Sequence, residues 1–409
     1  MTTPPKIDNA PGLTWKPRKA GWEARWQCRT DLARRGFLPK SYRIWTGTEP
    51  TAIDIAYIID RCNSFQTEML VWGRGGIPVV SAFDSSVNGL IDSYETDVDS
   101  PFRKLRYHTR RFYMSLCKRL RSDLGADQIA DLKARQLLHY HEEFVAAGKI
   151  PMGHSIVGML RILSGFGATI LEDDECARLS GVLSKMRFKM PKSRNERVTA
   201  EQATEIRSMA HALGRPSIAL AQALQFELML RQKDIIGEWV PINEPGMSGV
   251  HDGNSKWLRG LRWEEVDSKL ILTHMTSKRQ KEITVDLKIA EMVMTELSLK
   301  YGHNVTRDRL PASGAIIISE SSGVPWHGVE FRRNWRLAAD KAGVPKAVKN
   351  MDSRAGAISE ATDAGADLEH VRQAATHSDI SMTQKYSRND VEKTAGVMRT
   401  RAEFRKNKA

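Results

Sequence analysis

The stretch that decides the fold is Met351–Arg388, with the sequence MDSRAGAISEATDAGADLEHVRQAATHSDISMTQKYSR. Its pattern predicts three short helices. The first ends at Gly365, since glycine readily adopts the left-handed conformation that follows many helix ends. The second begins after Asp367, which is a favourable N-cap residue. The third begins at Ser381, because Gln384 three residues later completes a capping box.

Three polar residues of this stretch lie on the predicted helices or beside them. Arg354 precedes the first helix, which we expect around residues 357–363, His377 follows the second, and Tyr386 lies on the third. An arginine, a histidine and a tyrosine that meet in space can bind a phosphate group and attack it. Any one of them alone would indicate nothing about function. The stretch therefore predicts a phosphate-directed site if the fold brings the three together.

Length and charge limit the classes of partner that fit the chain. Its 409 residues allow two or three domains, and the formal net charge of +13 favours a polyanion, either nucleic acid or an anionic membrane surface. The sequence contains no run of about 18 apolar residues that could span a bilayer, and no signal-peptide pattern opens it. We therefore expect a cytoplasmic protein that does not reside in a membrane.

The cysteines carry no framework that would organise a disulfide-rich or zinc-binding fold. There are four, without a CxxC pair: Cys28, Cys62, Cys117 and Cys176. Their scatter predicts a reduced protein without a structural zinc site. No convergent cluster of carboxylates stands out that would hold Mg²⁺. We therefore expect no metal ion and no other cofactor.

Residues 1–80 form the first predicted domain. Apolar and polar residues alternate over residues 22–29, which predicts a strand with one apolar face and with Arg25 and Arg29 on the polar face. A small sheet that presents arginines can contact a DNA groove or backbone, or its polar face can simply be solvated. The sequence leaves both interpretations open. Residues 73–78, GRGGIP, are typical of a linker.

Residues 81–190 form the second predicted domain, which is helical throughout. A helix that begins at Ser100-Pro101 has an inner face of Leu105, Phe112, Leu116 and Leu120. Its remaining positions carry many basic residues, among them Arg103, Arg106, Arg110, Arg111 and Lys118. Like charges three and four residues apart on a helix repel each other unless an anion lies against them. The helix is therefore either an ordinary solvated one or a helix that faces DNA.

Residues 191–409 form the third predicted domain. A predicted helix over residues 217–232 places Arg231 close to its apolar face, where a charge is costly unless an anion meets it. Arg231 either forms a structural ion pair with Asp234 or another carboxylate, or binds the phosphate of a ligand. Local sequence favours neither interpretation.

Two features follow in this third domain. Residues 241–260 are rich in Gly, Pro, Asn and Ser and are predicted to form an inserted loop. Strand-like runs over residues 270–275 and 282–287 predict a hairpin whose basic tip contains Lys278. Most basic hairpin tips are only solvated, but a lysine that reaches a DNA groove could deliver a proton to a leaving oxygen.

The order Arg231, Lys278, Arg354, His377 and Tyr386 closely resembles that of the tyrosine recombinase (phage integrase) family. The segment HSDISMTQKY resembles the final signature of that family, in which a histidine stands nine residues before a nucleophilic tyrosine. The resemblance implies a mainly α protein with small β parts. Residues 1–80 would be a small β-sheet domain that can bind arm-site DNA, residues 81–190 a helical core-binding domain, and residues 191–409 an α+β catalytic domain.

The resemblance also implies a role for each site residue. Tyr386 would attack a DNA phosphodiester and form a 3′-phosphotyrosine, while Lys278 would act as general acid at the 5′-oxygen. The remaining groups would bind the phosphate or orient its ligands: Arg231, Arg354, His377 and Asp234. Covalent storage of the bond energy would allow strand exchange without a metal ion or ATP.

Two residues depart from the pattern of the family. Met351 stands where the family usually has a histidine, and Thr376 where it usually has a glycine before the later histidine. Because methionine can neither donate a hydrogen bond nor exchange a proton, the change leaves three explanations. The reaction runs more slowly, another group supplies the contact, or the active assembly needs a second protein.

The expected partners and the competing functions follow from the same resemblance. We expect a homo-tetramer on double-stranded DNA attachment sites of a mobile element, an accessory directionality or DNA-bending protein, and a nucleoid-associated location in the cytoplasm. A type IB topoisomerase or telomere resolvase would share the chemistry. A non-catalytic DNA-binding relic would instead make Met351 a mark of decay. Residues 389–409 would dock on a neighbouring protomer or form a frayed basic helix.

Overall fold

The computed structural model describes residues 6–18, 21–37, 39–74, 83–384 and 390–406, with the backbone alone for residues 390–397. The protein is mainly α-helical with small antiparallel sheets, as predicted. It divides into two compact units, residues 1–192 and 193–409. The division into three domains remains a prediction. No helix within the described ranges has the length and the apolar character needed to cross a membrane.

The first unit contains one small sheet and seven α-helices among its described residues. Its strands are β1 (Leu13–Arg18), β2 (Gly21–Gln27) and β3 (Ser41–Gly47). Its helices are α1 (Thr30–Arg35), α2 (Ala52–Gly73), α3 (Val87–Thr96), α4 (Tyr107–Leu124), α5 (Ala134–Ala146), α6 (Ile150–Thr169) and α7 (Asp174–Lys185).

The N-terminal sheet confirms the predicted alternation. Its strands are antiparallel in the order β1-β2-β3. Ala24, Trp26 and Cys28 are buried on the inner face, and the Trp26 ring stacks on Phe65 of α2 with the centroids 5.2 Å apart. Burial of these large aromatic surfaces holds the sheet against the helix.

The predicted inner face of α4 is correct for only part of its length. Residues 101–104 form a 3₁₀ turn, and α4 itself begins at Tyr107 rather than at Ser100-Pro101. Leu116 and Leu120 are buried as predicted, but the side chain of Phe112 is 48% exposed. The prediction for Phe112 was wrong because this residue lies in the first half of α4, whereas the buried residues of α4 all lie in its second half.

A buried carboxylate joins the elements around the N-terminal sheet to the helices that follow. Asp92 on α3 lies 2.7 Å from the guanidinium of Arg121 on α4 and 3.2 Å from that of Arg61 on α2. It also accepts hydrogen bonds from the hydroxyls of Tyr42 and Tyr57, at 3.1 and 3.2 Å. Two positive charges and two hydroxyls thus converge on Asp92 inside the first unit. We call these five residues the Asp92 cluster.

The second unit contains the remaining elements. Its helices are α8 (Ala200–Ala212), α9 (Pro216–Glu227), α10 (Gln232–Ile236), α11 (Glu291–Tyr301), α12 (Gly328–Lys341), α13 (Asp352–Asp363), α14 (Leu368–Ala374), α15 (Ile380–Gln384) and α16 (Asp390–Lys406). Its strands are β4 (Glu238–Pro241), β5 (His251–Asp252), β6 (Ser255–Leu258), β7 (Ile271–Met275) and β8 (Glu282–Asp286).

The segment predicted as an inserted loop, residues 241–260, instead contributes strands to a second sheet. Strands β4, β6 and β5 form an antiparallel sheet in that order. Trp239 and Trp257 face each other across β4 and β6 and are both buried. The prediction was wrong because it weighed the turn-forming residues of the segment and overlooked the apolar surface of Trp257. The β7–β8 hairpin was predicted correctly.

Glycines allow two close approaches that set the frame of the candidate site. Gly237 ends α10 with φ +72°, and a Cβ there would lie 2.3 Å from the indole nitrogen of Trp257. A Cβ at Gly356 on α13 would lie only 1.8 Å from the carbonyl oxygen of Val198. Because only glycine fits both positions, α10 packs against the second sheet and α13 against the segment that precedes α8.

Candidate active site

Arg354 lies in the first turn of α13. The helix begins at Asp352, so the prediction that Arg354 precedes the helix was wrong by a few residues. The guanidinium is largely buried and donates hydrogen bonds to two backbone carbonyl oxygens, that of Met229 at 2.6 Å and that of Ala375. These oxygens belong to the segment after α9 and the turn after α14. Arg354 therefore joins three parts of the second unit.

Arg231 lies between two helices and not on the apolar face of one. Helix α9 ends at Glu227, and Met229 has φ +52°, which no α-helix can contain. The predicted helix over residues 217–232 was therefore too long. Arg231 occupies the N-cap position of α10, and its Nη1 donates to the hydroxyl of Thr376 at 3.3 Å.

Asp234 ties the Arg231 segment to the β7–β8 hairpin. One carboxylate oxygen accepts the backbone N–H of Arg231 at 3.3 Å, and the other accepts that of Ser277 at 2.6 Å. Among the ion pairs of the described residues, none joins Asp234 to the guanidinium of Arg231. The carboxylate is fully buried, so both bonds form away from water. Asp234 thus orients backbone, and its supporting role in the site remains a prediction.

His377 follows α14 and lies beside both arginines. Its Nδ1 is 3.0 Å from the hydroxyl of Thr383 on α15. Burial, together with the positive charges of Arg354 and Arg231, lowers the pKa of His377 to about 4, and Arg279 and Arg372 add to this effect. His377 is therefore neutral near pH 7. The charges of both arginines disfavour the protonated imidazole.

The hairpin tip brings further positive charge to the site. Lys278 and Arg279 are both exposed at the tip, next to the Ser277 amide that Asp234 anchors. Arg279 is close enough to His377 to contribute to its lowered pKa. The role of Lys278 as general acid remains a prediction. Sequence reasoning missed Arg279, although the basic run around Lys278 contained the signal.

The two departures from the family pattern occupy different environments. Met351 lies at the residue before α13, and 60% of its side chain is exposed. Thr376 is buried in the turn after α14 and has φ +53°, in the left-handed region that glycine adopts without cost. The Thr376 hydroxyl is also the acceptor for Arg231, a contact that the sequence did not suggest.

The nucleophile predicted from the sequence, Tyr386, lies outside the described residues. The third predicted helix is present as α15, which ends at Gln384. The predicted start at Ser381 was wrong, because α15 begins at Ile380 and Ser381 lies inside it. The backbone N–H of Ser381 donates to the carboxylate of Asp379 at 2.7 Å. The caps at Asp367 and Gly365 were predicted correctly: Asp367 accepts the amides of the first turn of α14, and Gly365 has φ +82°.

Two of the residues predicted to bind DNA belong to the N-terminal sheet and the turn after it. The guanidinium of Arg25 donates to Glu23 at 2.9 Å, and that of Arg29 donates to Asp31 at 2.9 Å. A carboxylate therefore offsets part of the charge of each. Their contact with DNA remains a prediction.

The other residues predicted to bind DNA lie on α4 or just before it. Arg103 and Arg110 donate to backbone carbonyl oxygens, at 2.7 and 2.6 Å, and so help to shape the start of α4. The remaining three are exposed: Arg106, Arg111 and Lys118. Arg121 belongs to the Asp92 cluster, so part of the basic character read from this helix is structural.

The family model for the phage integrase family matches residues 256–393. This chain carries a phage integrase domain. The matched range contains Lys278, Arg354, His377 and Tyr386, while Arg231 lies before it. No curated protein matches the chain by sequence.

Solved structures of integrases share the fold. A lambda integrase fragment in a dimer bound to a COC′ core site has a TM-score of 0.57 at 15% identity, and the match covers 75% of this chain and 97% of that one. A lambda integrase tetramer bound to a Holliday junction has a TM-score of 0.55 at 15% identity, covering 93% and 96%. The Tn1549 transposon integrase with circular intermediate DNA has a TM-score of 0.51 at 13% identity, covering 77% and 99%.

The second unit presents groups suited to a phosphate. Two guanidinium groups and a neutral imidazole lie around the turn formed by residues 375–377. Guanidinium groups bind phosphate oxygens with two parallel hydrogen bonds, and a neutral imidazole can donate or accept one. Within the described ranges, no group of three or more His, Cys, Asp or Glu side chains is arranged to hold a metal ion.

Proposed function

We propose that this protein is a site-specific DNA recombinase that cuts and rejoins DNA through a covalent phosphotyrosine at Tyr386. The observation that carries the proposal is the convergence of Arg231, Arg354 and His377 on the turn at residues 375–377. Arg354 and His377 lie within the matched range, residues 256–393, and Arg231 lies before it. The positive charges of the two arginines meet beside the neutral imidazole, at a place where a phosphodiester can be held.

The two arginines stabilise the charge that develops during strand cleavage. Attack on a phosphodiester produces a pentacoordinate phosphorus whose non-bridging oxygens carry extra negative charge. Arg231 and Arg354 are held in place before DNA binds, by oxygen atoms of Thr376, Met229 and Ala375. Donors that are already oriented lose little free energy to reorganisation when that charge appears.

Tyr386 and Lys278 carry the bond changes. The Tyr386 oxygen forms a bond to phosphorus, the bond from phosphorus to the 5′-oxygen breaks, and the tyrosine loses its proton. Lys278 supplies a proton to the departing 5′-oxygen as general acid. The tyrosine proton passes to water; its ordinary pKa is about 10, and a cation close to a phenol lowers that pKa. Attack by the 5′-hydroxyl of another strand reverses these steps and rejoins the DNA.

His377 binds a phosphate oxygen in its neutral form. If Nδ1 accepts the hydroxyl proton of Thr383, then Nε2 carries the ring proton and donates it to the phosphate oxygen. The pKa of about 4 supports this neutral form. His377 therefore contributes a directed hydrogen bond rather than a further positive charge.

The proposed partner is double-stranded DNA that carries attachment sites, bound by a homo-tetramer. The lambda integrase structures with the same fold contain DNA-bound dimers and a DNA-bound tetramer. The net charge of +13 and the exposed residues Arg106, Arg111 and Lys118 on and before α4 fit a phosphate backbone. An accessory directionality or DNA-bending protein belongs to the same proposal. So does a cytoplasmic, nucleoid-associated location.

The N-terminal sheet is proposed as a second DNA contact. Its outer face carries Arg25, and Arg43 is the partner of Arg25 across β2 and β3. Lys16 and Arg18 on β1 lie on the same face by register. Glu23 is buried beneath this face and pairs with Arg18 and Arg25. Four basic residues around one carboxylate leave the face with a net positive charge.

A suicide substrate tests the proposed chemistry. The attachment site is first mapped from the DNA fragments that the protein protects, and a nick is then placed so that cleavage releases a short strand and traps the adduct. We expect the wild-type protein to form a covalent adduct, and Tyr386→Phe to form none because the attacking oxygen is absent. Gel electrophoresis under denaturing conditions measures the adduct.

The matched control is Tyr301→Phe, which removes a tyrosine hydroxyl from α11 in the same unit. This variant should form the adduct at the wild-type level. An adduct from Tyr386→Phe would reject Tyr386 as the nucleophile. Absence of an adduct from the wild-type protein on its mapped site would reject the enzymatic proposal in favour of a DNA-binding role.

A further inference from the structure

Two residues other than glycine adopt the left-handed backbone conformation next to the site arginines. Met229 has φ +52° and Thr376 has φ +53°. A positive φ is unfavourable for any side chain with a Cβ, and most of all for a β-branched residue such as threonine. Residues held in this way persist where the surrounding structure enforces them, often at functional sites.

Each of these residues holds one of the two arginines. The carbonyl oxygen of Met229, two residues before Arg231, accepts a hydrogen bond from Arg354 at 2.6 Å. The hydroxyl of Thr376 accepts one from Arg231 at 3.3 Å, and the preceding carbonyl of Ala375 accepts a second one from Arg354. Arg354 is therefore held by the segment that carries Arg231. Both arginines are also held by the turn that precedes His377.

The contact that Thr376 makes depends on its side chain, whereas that of Met229 uses the backbone. The Thr376 N–H is already engaged with the carbonyl oxygen of Gln373 at 2.9 Å, as expected at the end of α14. Thr376 is buried to 1% exposure, which leaves its hydroxyl little freedom to turn elsewhere. Glycine would remove the backbone strain at this position, but it would also remove the oxygen that receives Arg231.

We propose that Thr376 is a positioning residue whose hydroxyl holds the guanidinium of Arg231 in the orientation that receives the scissile phosphate. This inference rests on the proposed function for its catalytic consequence, but the contact itself can be tested without DNA. The Thr376 hydroxyl lies 3.3 Å from Nη1 of Arg231, on a backbone held at φ +53°. The threonine is thereby a specific part of the site and not a neutral replacement for glycine.

Cleavage of the suicide substrate tests the catalytic consequence in Thr376→Gly and Thr376→Ser. At saturating DNA, we expect Thr376→Gly to cleave about tenfold more slowly, which corresponds to the loss of one hydrogen bond to a charged group. Its melting temperature should change little, because relief of the strain at φ +53° offsets the loss of a small buried side chain. Thr376→Ser keeps the hydroxyl without the branched methyl group, and it should recover most of the wild-type rate.

Glu172→Gly is the matched control for the relief of strain. Glu172 is exposed, has φ +53° and lies in the first unit, so this variant should cleave at the wild-type rate. Wild-type cleavage by Thr376→Gly would overturn the inference. A slow Thr376→Ser variant would also overturn it, because the hydroxyl would then not be what matters.

An NMR titration of His377 without DNA tests the contact itself. The positive charge of Arg231 is one cause of the lowered pKa of His377, together with burial and the charges of Arg354, Arg279 and Arg372. If the hydroxyl holds Arg231 near the imidazole, the pKa of His377 rises in Thr376→Gly and stays at the wild-type value in Thr376→Ser. Equal values in the two variants would overturn the positioning role.

The two readouts separate the inference from the proposed function. If the wild-type protein does not cleave its mapped site, the proposed function fails, and the His377 titration still decides whether Thr376 holds Arg231. If the wild-type protein cleaves and Thr376→Gly cleaves equally fast, the inference fails and the proposed function stands.

Discussion

Two pairs of arginines, one in each unit, are held in contrasting ways. In the first unit, Arg61 and Arg121 form ion pairs with the carboxylate of Asp92, at 3.2 and 2.7 Å. In the second unit, Arg231 donates to the hydroxyl of Thr376, and Arg354 donates to two backbone carbonyl oxygens. The first pair meets oppositely charged oxygens, whereas these contacts of the second pair are with neutral ones.

The nature of the acceptor decides what an arginine can do. A carboxylate both orients a guanidinium and cancels its charge, which suits a structural position. A carbonyl or hydroxyl oxygen orients the guanidinium and leaves its charge available to a phosphate. Burial and the charges of Arg354 and Arg231 together lower the pKa of His377, so neither charge is cancelled by the oxygens that hold the two arginines. The Asp92 cluster is thus a structural element, and the turn at residues 375–377 is suited to bind an anion.

The largest effect is expected on breaking the Asp92 cluster with Asp92→Asn. This change leaves the buried guanidinium of Arg61 without the carboxylate that it pairs with, whereas Arg121 keeps a second ion pair with Glu95 at 3.2 Å. We expect the free energy of unfolding of the first unit to fall by about 3 kcal/mol, because removal of one partner of a buried ion pair leaves uncompensated charge. Chemical denaturation of the whole protein measures this loss.

The control for this change is Asp99→Asn, an exposed carboxylate close to α3 in sequence. It should leave the free energy of unfolding nearly unchanged. Burial raises the pKa of Tyr57, and the charge of Asp92 adds to the rise, so the hydroxyl keeps its proton as a donor to the cluster. If Asp92→Asn were as stable as the wild type, the cluster would not be structural and the contrast with the site would be lost.

The next effect concerns the pH dependence of stability through His377. The folded pKa of about 4 lies below the ordinary value of 6.5. The stability that this group contributes is therefore complete above pH 6.5 and is lost as the pH falls from there towards 4. In this window the free energy of unfolding should fall by at most about 1.4 kcal/mol per pH unit on account of His377.

Thermal or chemical unfolding between pH 6.5 and 4.5 measures this slope in the wild type and in His377→Gln. The variant should show a shallower slope, because glutamine does not titrate. His303→Gln, at an exposed histidine of the same unit, is the control. An identical slope in His377→Gln would mean that neither burial nor the arginine charges lower the pKa of His377, and the comparison between the two pairs would lose this support.

The smallest effect is expected for Met351→His. Met351 is 60% exposed at the residue before α13, three residues from Arg354, so a histidine there can extend towards a phosphate without displacing the core. We expect cleavage of the suicide substrate to become about fivefold faster, the value of one added hydrogen bond. Met247→His, at a methionine that is 98% exposed in the second sheet region, is the control. A slower or unchanged rate would mean that the site has been rebuilt around Met351.

The local sequence predicted those features that depend on neighbours in the chain. The alternation in β2, the β7–β8 hairpin, the glycine after α13 and the N-cap of α14 were all predicted correctly, because side-chain period and capping interactions act over a few residues. The same reasoning failed for residues 217–232 and 241–260. In the first segment, the left-handed backbone conformation of Met229 is incompatible with a longer helix. In the second, burial of Trp257 stabilises a strand within a segment that is rich in turn-forming residues.

The sequence by itself determined which residue types are available to a phosphate-directed site, since Arg231, Lys278, Arg354, His377 and Tyr386 stand in the order typical of tyrosine recombinases. Only the tertiary structure decided how the arginines are held. Arg231 meets Thr376 across 145 positions of sequence, and Arg354 meets the Met229 carbonyl across 125. No local pattern encodes such contacts, because they arise where the packing of α9, α13 and α14 brings distant segments together.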